Sequence, residues 1–229
     1  ADSITGTSGD DVINAPILSF TNGDTIDGGE GTDTFNATVN IDINNTTTVT
    51  GVENVNLTSL GARTVDAKKF TGVSEIATVD STGKLTLNNL ASASTTFKFD
   101  GATTNNIEAN YVAGALAGAS DNLGVTLATA KAVTMNADAG FESASITTSG
   151  ANDVDGWTVP GVTTLTVAGT GSVDFADGIL DGTSVLSAAS YAGNITTGTA
   201  QTDGHVDGVQ DGATTGTTWL LGSGNDNVG

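Results

Sequence analysis

The sequence predicts an all-β protein built as a parallel β-solenoid, similar to a β-helix. Seven short segments alternate between apolar and polar residues, each bounded by Gly, Asn, Asp or Ser, which is the pattern of half-buried strands between turns. Three segments also share the pattern Gly-Val-x-x-aliphatic, at 51–55, 72–76 and 161–165. Short strands that recur with glycine corners are typical of stacked coils. A β-sandwich of short strands is the alternative.

The predicted strands follow one another along most of the chain. Their positions are 52–57, 84–88, 96–100, 125–127, 133–136, 164–167 and 173–175. Threonine is abundant in and around them, and it suits a pleated surface. Helical periodicity is weak, so only 66–70 and 111–120 are candidates for short helices. The second of these contains two glycines, which disfavour a helix.

Charge is distributed unevenly along the chain. The 229 residues carry 6 Lys and Arg against 26 Asp and Glu, a formal net charge of -20. All six cations lie between positions 63 and 131, so the segments 1–62 and 132–229 are acidic without internal neutralisation. Such a chain does not bind nucleic acid by neutralising phosphates. Its acidic segments repel themselves unless external cations, above all divalent ones, balance the charge.

Several functional classes are excluded by what the sequence lacks. There is no Cys, which excludes disulfides and thiolate chemistry. The longest apolar stretch covers only 111–119, whereas a membrane-spanning helix needs about 20 residues. One His and one Arg leave little for general acid–base chemistry. Since no nucleophile elbow, phosphate loop or catalytic triad is present either, we expect a protein that is not an enzyme.

The sharpest motif lies near the start of the chain. Residues 28–36 read Gly-Gly-Glu-Gly-Thr-Asp-Thr-Phe-Asn and match the nonapeptide G-G-x-G-x-D-x-U-x at each fixed position, U being a large apolar residue. Residues 6–14 match it with one Gly missing, and a further Asp stands nine residues before the Asp of each motif. The aspartates therefore follow the register 2, 11, 24 and 33. A four-residue insertion around 15–18 accounts for the longer middle step.

This spacing suits a calcium site. Ca²⁺ takes about six to eight oxygen ligands, and glycines let the backbone bend so that carbonyl oxygens point at one spot. Metal binding then contributes to folding, because the site does not exist in the unfolded chain. Ordinary Asp-Gly turns are the alternative. The predicted ligands are Asp2, Asp11, Asn22, Asp24, Asp27, Gly29, Gly31, Asp33 and, in a further copy of the motif at 222–228, Asp226.

These motifs resemble RTX-type calcium-binding repeats. The run 24–35, the following Gly-Val-Glu-Asn-Val-Asn-Leu at 51–57 and the Thr-, Ala- and Asn-rich stretch after it are similar to bacterial surface-layer proteins of the Caulobacter and Campylobacter type. The resemblance implies a structural protein that is secreted by the type I route and forms a calcium-dependent two-dimensional lattice on the cell surface. An RTX adhesin segment and a carbohydrate-binding surface module are the alternatives.

The same resemblance divides the chain into three regions. They are RTX-type turns at 1–40, a solenoid-like domain at 41–215 and the start of a further RTX-type repeat at 216–229. Because the chain opens and closes within repeat motifs, we expect it to be part of a longer protein.

The expected partners are other copies of the chain and a cell-surface glycan such as lipopolysaccharide. The cationic cluster of Arg63, Lys68 and Lys69 is suited to lipopolysaccharide or to an acidic neighbour, with a solvated face as the alternative. Two acidic clusters, at 174–181 and 203–212, are typical of solvated turns. The second also has some of the spacing of a calcium loop, but it lacks the Glu that closes an EF-hand.

Overall fold

The computed structural model is an all-β solenoid, which confirms the predicted fold class. It describes residues 1–101, 104–175, 185–197, 218–220, 223 and 227–228. These residues form strands and no helix, so no helix among them could span a membrane. Neighbouring strands are parallel throughout the described part of the chain. A β-sandwich would instead consist of antiparallel sheets.

The strands lie in three sheets. The four-stranded sheet comprises β1 (Ser3–Thr5), β3 (Thr25–Asp27), β5 (Thr48–Thr50) and β8 (Phe70–Thr71). The ten-stranded sheet comprises β2 (Val12–Ala15), β4 (Thr34–Val39), β6 (Asn54–Ser59), β9 (Glu75–Val79), β11 (Thr96–Asp100), β13 (Asn122–Ala128), β15 (Ser143–Ser149), β17 (Thr164–Gly169), β19 (Val185–Ser187) and β21 (Thr218–Leu220). The eight-stranded sheet comprises β7 (Arg63–Asp66), β10 (Leu85–Leu90), β12 (Thr104–Tyr111), β14 (Lys131–Ala137), β16 (Ala151–Thr158), β18 (Ser172–Phe175), β20 (Ile195–Thr197) and β22 (Asn227–Val228).

Each coil of the solenoid crosses from one sheet to another and returns above its own start. Ser3 pairs with Thr25 and Val12 with Thr34, so one coil advances the chain by 22 residues. Several later coils keep nearly this length, as shown by the hydrogen bond between Asp121 and Glu142 across 21 residues. Two coils are longer: Phe97 pairs with Val125, 28 residues on, and Val185 pairs with Thr218, 33 residues on. The ten-stranded sheet therefore continues through the predicted region boundary at 40–41 without interruption.

Stacked columns of apolar side chains fill the interior. Ile13, Phe35, Val55, Ile76 and Phe97 hold the same position in successive coils, and all five are buried. A single coil could not shield its inward side chains from water, so burial comes from the neighbouring coils. The core is therefore continuous along the solenoid axis.

Glycine corners precede strands of the ten-stranded sheet, as the repeated Gly-Val-x-x-aliphatic pattern predicts. Gly51, Gly72 and Gly161 have φ of 58, 88 and 98°, a region that favours glycine. The two helices considered from the sequence are wrong. Residues 66–70 end one strand and begin the next, and 112–120 form turns, since Gly114 at φ 87° interrupts any helical path.

Candidate metal centre

The aspartates of the two motifs form two stacked pairs at different corners of the solenoid. The amide of Asp2 donates to Asp24 Oδ1 at 2.7 Å, and the amide of Asp11 donates to Asp33 Oδ1 at 2.7 Å. The nine residues from Asp2 to Asp11, and likewise from Asp24 to Asp33, lead from the four-stranded to the ten-stranded sheet within one coil. The longer step, with a turn at 16–19, completes the coil rather than interrupting the repeat.

Asp24 is buried and held by the protein itself. Besides the Asp2 amide, its carboxylate accepts hydrogen bonds from the Thr21 amide at 2.6 Å and from the Thr21 hydroxyl at 3.1 Å. Burial acts to raise the pKa of Asp24, but the hydrogen bonds from Asp2 and Thr21 outweigh it, so the pKa lies below its usual value. This carboxylate stays ionised and fixes the corner without any ion.

Asp33 is buried equally deeply, but only one of its two carboxylate oxygens accepts a hydrogen bond. Its Oδ1 accepts the Asp11 amide, whereas its Oδ2 is buried and has no hydrogen-bond partner among the described residues. The Asp33 amide in turn donates to Glu53 Oε2 at 2.8 Å, so Glu53 takes the same place in the third coil. A carboxylate oxygen that is both buried and unpartnered is energetically costly.

Oxygen atoms converge beside the glycines of this turn. A Cβ at Gly28 would overlap both Asp33 Oδ2 and the Gly51 carbonyl oxygen. A Cβ at Gly51 would lie 2.9 Å from the Gly29 carbonyl oxygen and 3.1 Å from Asp27 Oδ1. The turn between the second and third coils therefore brings together carboxylate and carbonyl oxygens, which are the donors that Ca²⁺ takes.

The first coil repeats part of this arrangement. A Cβ at Gly6 would overlap the Gly28 carbonyl oxygen and lie 2.8 Å from Asp11 Oδ2. Here the carboxylate is satisfied, since Asp11 Oδ2 accepts the Thr7 amide at 2.5 Å and the Thr7 hydroxyl at 2.8 Å. These bonds lower the pKa of Asp11. The turn of the second coil, with its free Asp33 oxygen, is therefore the better candidate.

The structure gathers some of the predicted ligands and separates others. Asp27, Gly29 and Asp33 meet at the turn just described. Asp2 and Asp24 lie at the other corner, with Asn22 near it, where the Asn22 side chain accepts the Asn44 amide at 2.7 Å and donates to the Asp42 carbonyl. Three predicted ligands remain. Asp11 lies in the first coil, and Asp226 lies outside the described residues. Gly31 has a φ of 122° and lies so close to the backbone of Gly9 that a Cβ there would clash with it.

Sequence reasoning missed Glu53 and Thr7. Glu53 follows Asp33 by 20 residues, and only the stacking of coils shows that it replaces an Asp of the motif. In the described part of the chain, no three His, Cys, Asp or Glu side chains come together as a metal cluster. A calcium ion at this turn would therefore depend on backbone carbonyls as well as on Asp33 and Asp27, and the donors present fit such an ion.

The other candidate clusters are less organised. Arg63 donates to the Ala62 carbonyl at 2.9 Å, and Lys68 and Lys69 are exposed. In the predicted 174–181 cluster, only Asp174 belongs to the segment that the structure describes. The cluster at 203–212 lies outside the described residues.

A different acidic group lies on the eight-stranded sheet. Asp153 and Asp174 stand side by side in adjacent strands. Burial, together with the charge of Asp153, raises the pKa of Asp155 and of Asp174.

Comparisons with protein-family models, with curated proteins and with solved structures found no match.

Proposed function

We propose that this chain is a structural segment of a calcium-dependent bacterial surface layer, a stiff solenoid that assembles with further copies at the cell surface. The observation that carries the proposal is the buried, unpartnered Asp33 Oδ2 beside the Gly51 carbonyl oxygen. It lies in a stretch of 62 residues that holds nine acids and neither Lys nor Arg. Among the described residues, no Lys or Arg is paired with Asp33, and a bound Ca²⁺ would supply the missing positive charge.

The residues of this turn have separate roles in the proposed site. Asp33 and Asp27 supply negative charge, Gly29 and Gly51 supply carbonyl oxygens, and Glu53 fixes the Asp33 backbone through its amide. When bound, Ca²⁺ would neutralise the carboxylates and join the second coil to the third. Since the donors come from separate coils, the site exists only in the folded solenoid, so binding stabilises the fold.

The overall architecture supports a structural role. The described coils are packed around one continuous apolar core. The outward faces of the strands carry mainly small polar residues, and only five large apolar side chains are exposed in the described part. A rigid rod whose stiffness depends on calcium is suited to building a layer outside the cell.

A calcium titration of chelator-treated protein tests the proposal. At a hundredfold excess over the dissociation constant, one site adds about 2.7 kcal/mol, which raises the thermal midpoint of a chain this size by roughly 5 to 10 °C. Mg²⁺ should have little effect because it requires a tighter octahedron. Light scattering and electron microscopy then follow assembly in the presence of Ca²⁺. An unchanged midpoint together with unchanged assembly would overturn the proposal.

Paired variants locate the ion. Asp33→Asn keeps the shape and the Oδ1 acceptor but removes the charge, and we expect it to lose most of the calcium-induced rise. Glu30→Gln is the matched control, because Glu30 is an exposed residue of the same turn and its substitution removes the same charge. If Asp33→Asn responds to calcium as fully as Glu30→Gln does, the ion is not bound at Asp33.

A glycan-binding surface module is the second candidate. An open groove on the ten-stranded sheet is lined by Asn14, Asn36 and Asn56, whose amides form a ladder with bonds of 2.9 and 2.8 Å. Lys98 and Asp100, paired at 2.8 Å, line the same groove. The groove offers hydrogen-bonding groups to lipopolysaccharide or another cell-surface glycan. A glycan array tests this candidate, with Asn36→Ala as the variant that should lose binding.

A further inference from the structure

Residues 1–62 carry four copies of the tripeptide Asn-x-Thr, which is an acceptor sequence for N-linked sugars. The copies begin at Asn36, Asn44, Asn45 and Asn56. The sequence alone does not rank them, because such tripeptides are frequent in a chain rich in Asn and Thr. The structure does rank them, because a transferase needs an exposed turn, a side-chain amide that is free to react and an accessible threonine hydroxyl.

Two of the four tripeptides begin on strands of the ten-stranded sheet. Asn36 lies in β4 and Asn56 in β6, and both are only partly exposed. The Nδ2 amide of Asn36 donates to Asn14 Oδ1 at 2.9 Å, and the Nδ2 amide of Asn56 donates to Asn36 Oδ1 at 2.8 Å. Because these amides are engaged and the extended backbone is held between neighbouring strands, both positions are poor acceptors.

The tripeptide that begins at Asn45 has no accessible hydroxyl. Its third residue, Thr47, is fully buried. The Thr47 hydroxyl donates to the Thr21 carbonyl at 3.1 Å and accepts the Gly23 amide at 3.1 Å. Because this hydroxyl is buried and already used as a donor and as an acceptor within the protein, a transferase cannot reach it.

The tripeptide that begins at Asn44 meets all three requirements. Asn44, Asn45 and Thr46 are exposed, and they lie in a turn that is closed by a hydrogen bond of 3.2 Å from the Thr47 amide to the Asn44 carbonyl. Asn44 Oδ1 accepts the Thr46 amide at 2.9 Å and the Thr46 hydroxyl at 2.5 Å. Among the described residues, the Asn44 Nδ2 amide has no hydrogen-bond partner.

The two hydrogen bonds to Asn44 Oδ1 favour a reaction at Nδ2. An amide nitrogen is a weak nucleophile, because its lone pair is delocalised into the carbonyl group. Hydrogen bonds donated to the carbonyl oxygen stabilise the negative charge that develops there as the nitrogen loses a proton. The turn therefore presents a side-chain amide that is exposed, unpartnered at nitrogen and polarised at oxygen by Thr46.

We propose that Asn44 is the acceptor of an N-linked sugar in the folded protein, with a sugar diphosphate as the donor and a separate transferase as the catalyst. A bond forms between Nδ2 and the anomeric carbon while the bond from that carbon to the diphosphate oxygen breaks. The diphosphate leaves with the electron pair, and a base of the transferase takes one Nδ2 proton. This inference goes beyond the surface-layer proposal and does not depend on the calcium turn. Asn44 lies at another corner, between Ile43, which bridges to Val65, and β5.

Glycosylation of the folded protein in vitro, in the presence of Ca²⁺, tests the proposal. One reaction contains UDP-glucose and a soluble asparagine glucosyltransferase, and the other contains a lipid-diphosphate oligosaccharide and a membrane oligosaccharyltransferase. We expect at least one of the two donors to add a single glycan, which intact-mass spectrometry detects and peptide mapping places on Asn44. A synthetic peptide of residues 40–48 shows that each enzyme is active.

Substitutions at neighbouring positions separate the two overlapping tripeptides. Asn44→Gln should abolish the added mass. Asn45→Gln is the matched control, because it removes the second tripeptide but leaves Asn44 and Thr46 in place. Thr46→Val should also abolish the addition, although it keeps Asn45 and Thr47, whereas Thr46→Ser should retain it because the hydroxyl is kept.

Each outcome decides the inference. Glycosylation of the peptide without glycosylation of the folded protein would refute it, and so would a glycan found on Asn36, Asn45 or Asn56 as often as on Asn44. The thermal response to calcium is measured on Asn44→Gln and should equal that of the wild type. If calcium raises the midpoint but Asn44 is not modified, the glycosylation inference fails while the calcium site stands. If Asn44 is modified but calcium has no effect, the calcium site fails instead.

Discussion

At the scale of single residues, carboxylates connect successive coils through hydrogen bonds. Asp24, Asp33, Glu53 and Glu142 each accept a backbone amide of the preceding coil at 2.7 or 2.8 Å. These amides lie at corners where the sheet hydrogen bonds stop, and each backbone amide that leaves the sheet needs another acceptor. The motif Asp therefore has a structural role even before a metal is considered.

The glycine beside Asp33 should tolerate no side chain. We expect Gly28→Ala to destabilise the fold by about 3 kcal/mol, at the upper end of overpacking costs, because its Cβ would overlap the Gly51 carbonyl and Asp33 Oδ2. Gly9→Ala is the control, since a Cβ there meets nothing closer than 4.0 Å, and it should change stability by less than about 0.5 kcal/mol. Urea unfolding measures both. Equal midpoints for the two variants would refute this packing.

Repulsion between Asp153 and Asp174 on the eight-stranded sheet predicts that Asp174→Asn stabilises the fold in a pH-dependent way. The folded-state pKa of Asp174 is raised by burial and by the charge of Asp153. A raised folded-state pKa means that the native state binds the proton more tightly, so stability falls as the pH rises through that pKa. We expect Asp174→Asn to raise the thermal midpoint at pH 7 and to lose this advantage in acid, where the native carboxyl is protonated. A gain of equal size in acid would exclude the electrostatic explanation.

At the scale of strands, alternation divides each strand into an inward and an outward set. In β11, Phe97 and Phe99 are fully buried, while the Thr96, Lys98 and Asp100 side chains between them are only partly buried. Because β11 pairs in parallel with β9 and β13 without a register shift, a substitution on its inward set changes a column shared by adjacent coils. The outward set contributes mainly solubility and contacts along the surface.

Phe97→Ala tests this division. We expect a loss of about 3 to 5 kcal/mol, because the buried ring leaves a cavity between the columns of adjacent coils. Thr126→Ala lies on the outward face of the neighbouring strand, next to Lys98, and should cost less than about 1 kcal/mol. Both values come from equilibrium unfolding by urea. A loss of similar size for Thr126→Ala would mean that the outward face is packed against something.

Seven of the 22 described strands could be predicted, because their alternation is visible in the sequence. The segment 96–100 is a strand with the same bounds in the structure, and the other six predicted segments also lie on or overlap strands. Ser143–Ser149 was not predicted, because its buried positions hold small or polar residues such as Ala144 and Thr148. In Ala151–Thr158, Gly156 conceals the strand pattern.

The candidate site could be predicted only in part. The Asp and Gly positions of the motif locate the turn, but the coil length determines which turns meet. Glu53 was missed because the third coil replaces the motif Asp by another acid, which becomes visible only when Asp33 is found hydrogen-bonded to it. The hydrogen bonds that the Asp24 carboxylate accepts come from Thr21 and from the Asp2 amide. No local pattern predicts it.

At the scale of the whole molecule, the described chain behaves as a one-dimensional stack. Each strand pairs only with the strands of the coils before and after it, so stability is approximately a sum of coil and interface terms. An ion at one interface therefore stabilises its own neighbourhood most. Individual coil interfaces can therefore open locally before the whole stack unfolds.

Hydrogen exchange should locate the effect of calcium along this stack. Because Asp33 and Gly51 belong to the second and third coils, we expect Ca²⁺ to slow exchange most strongly in β3 to β6 and progressively less in later coils. The strands β13 to β17 should exchange equally in Ca²⁺ and in chelator, as long as the middle stays folded. Mg²⁺ at the same concentration is the control. A uniform slowing along the chain would indicate one cooperative unit, and slowing confined to the middle coils would place the ion elsewhere.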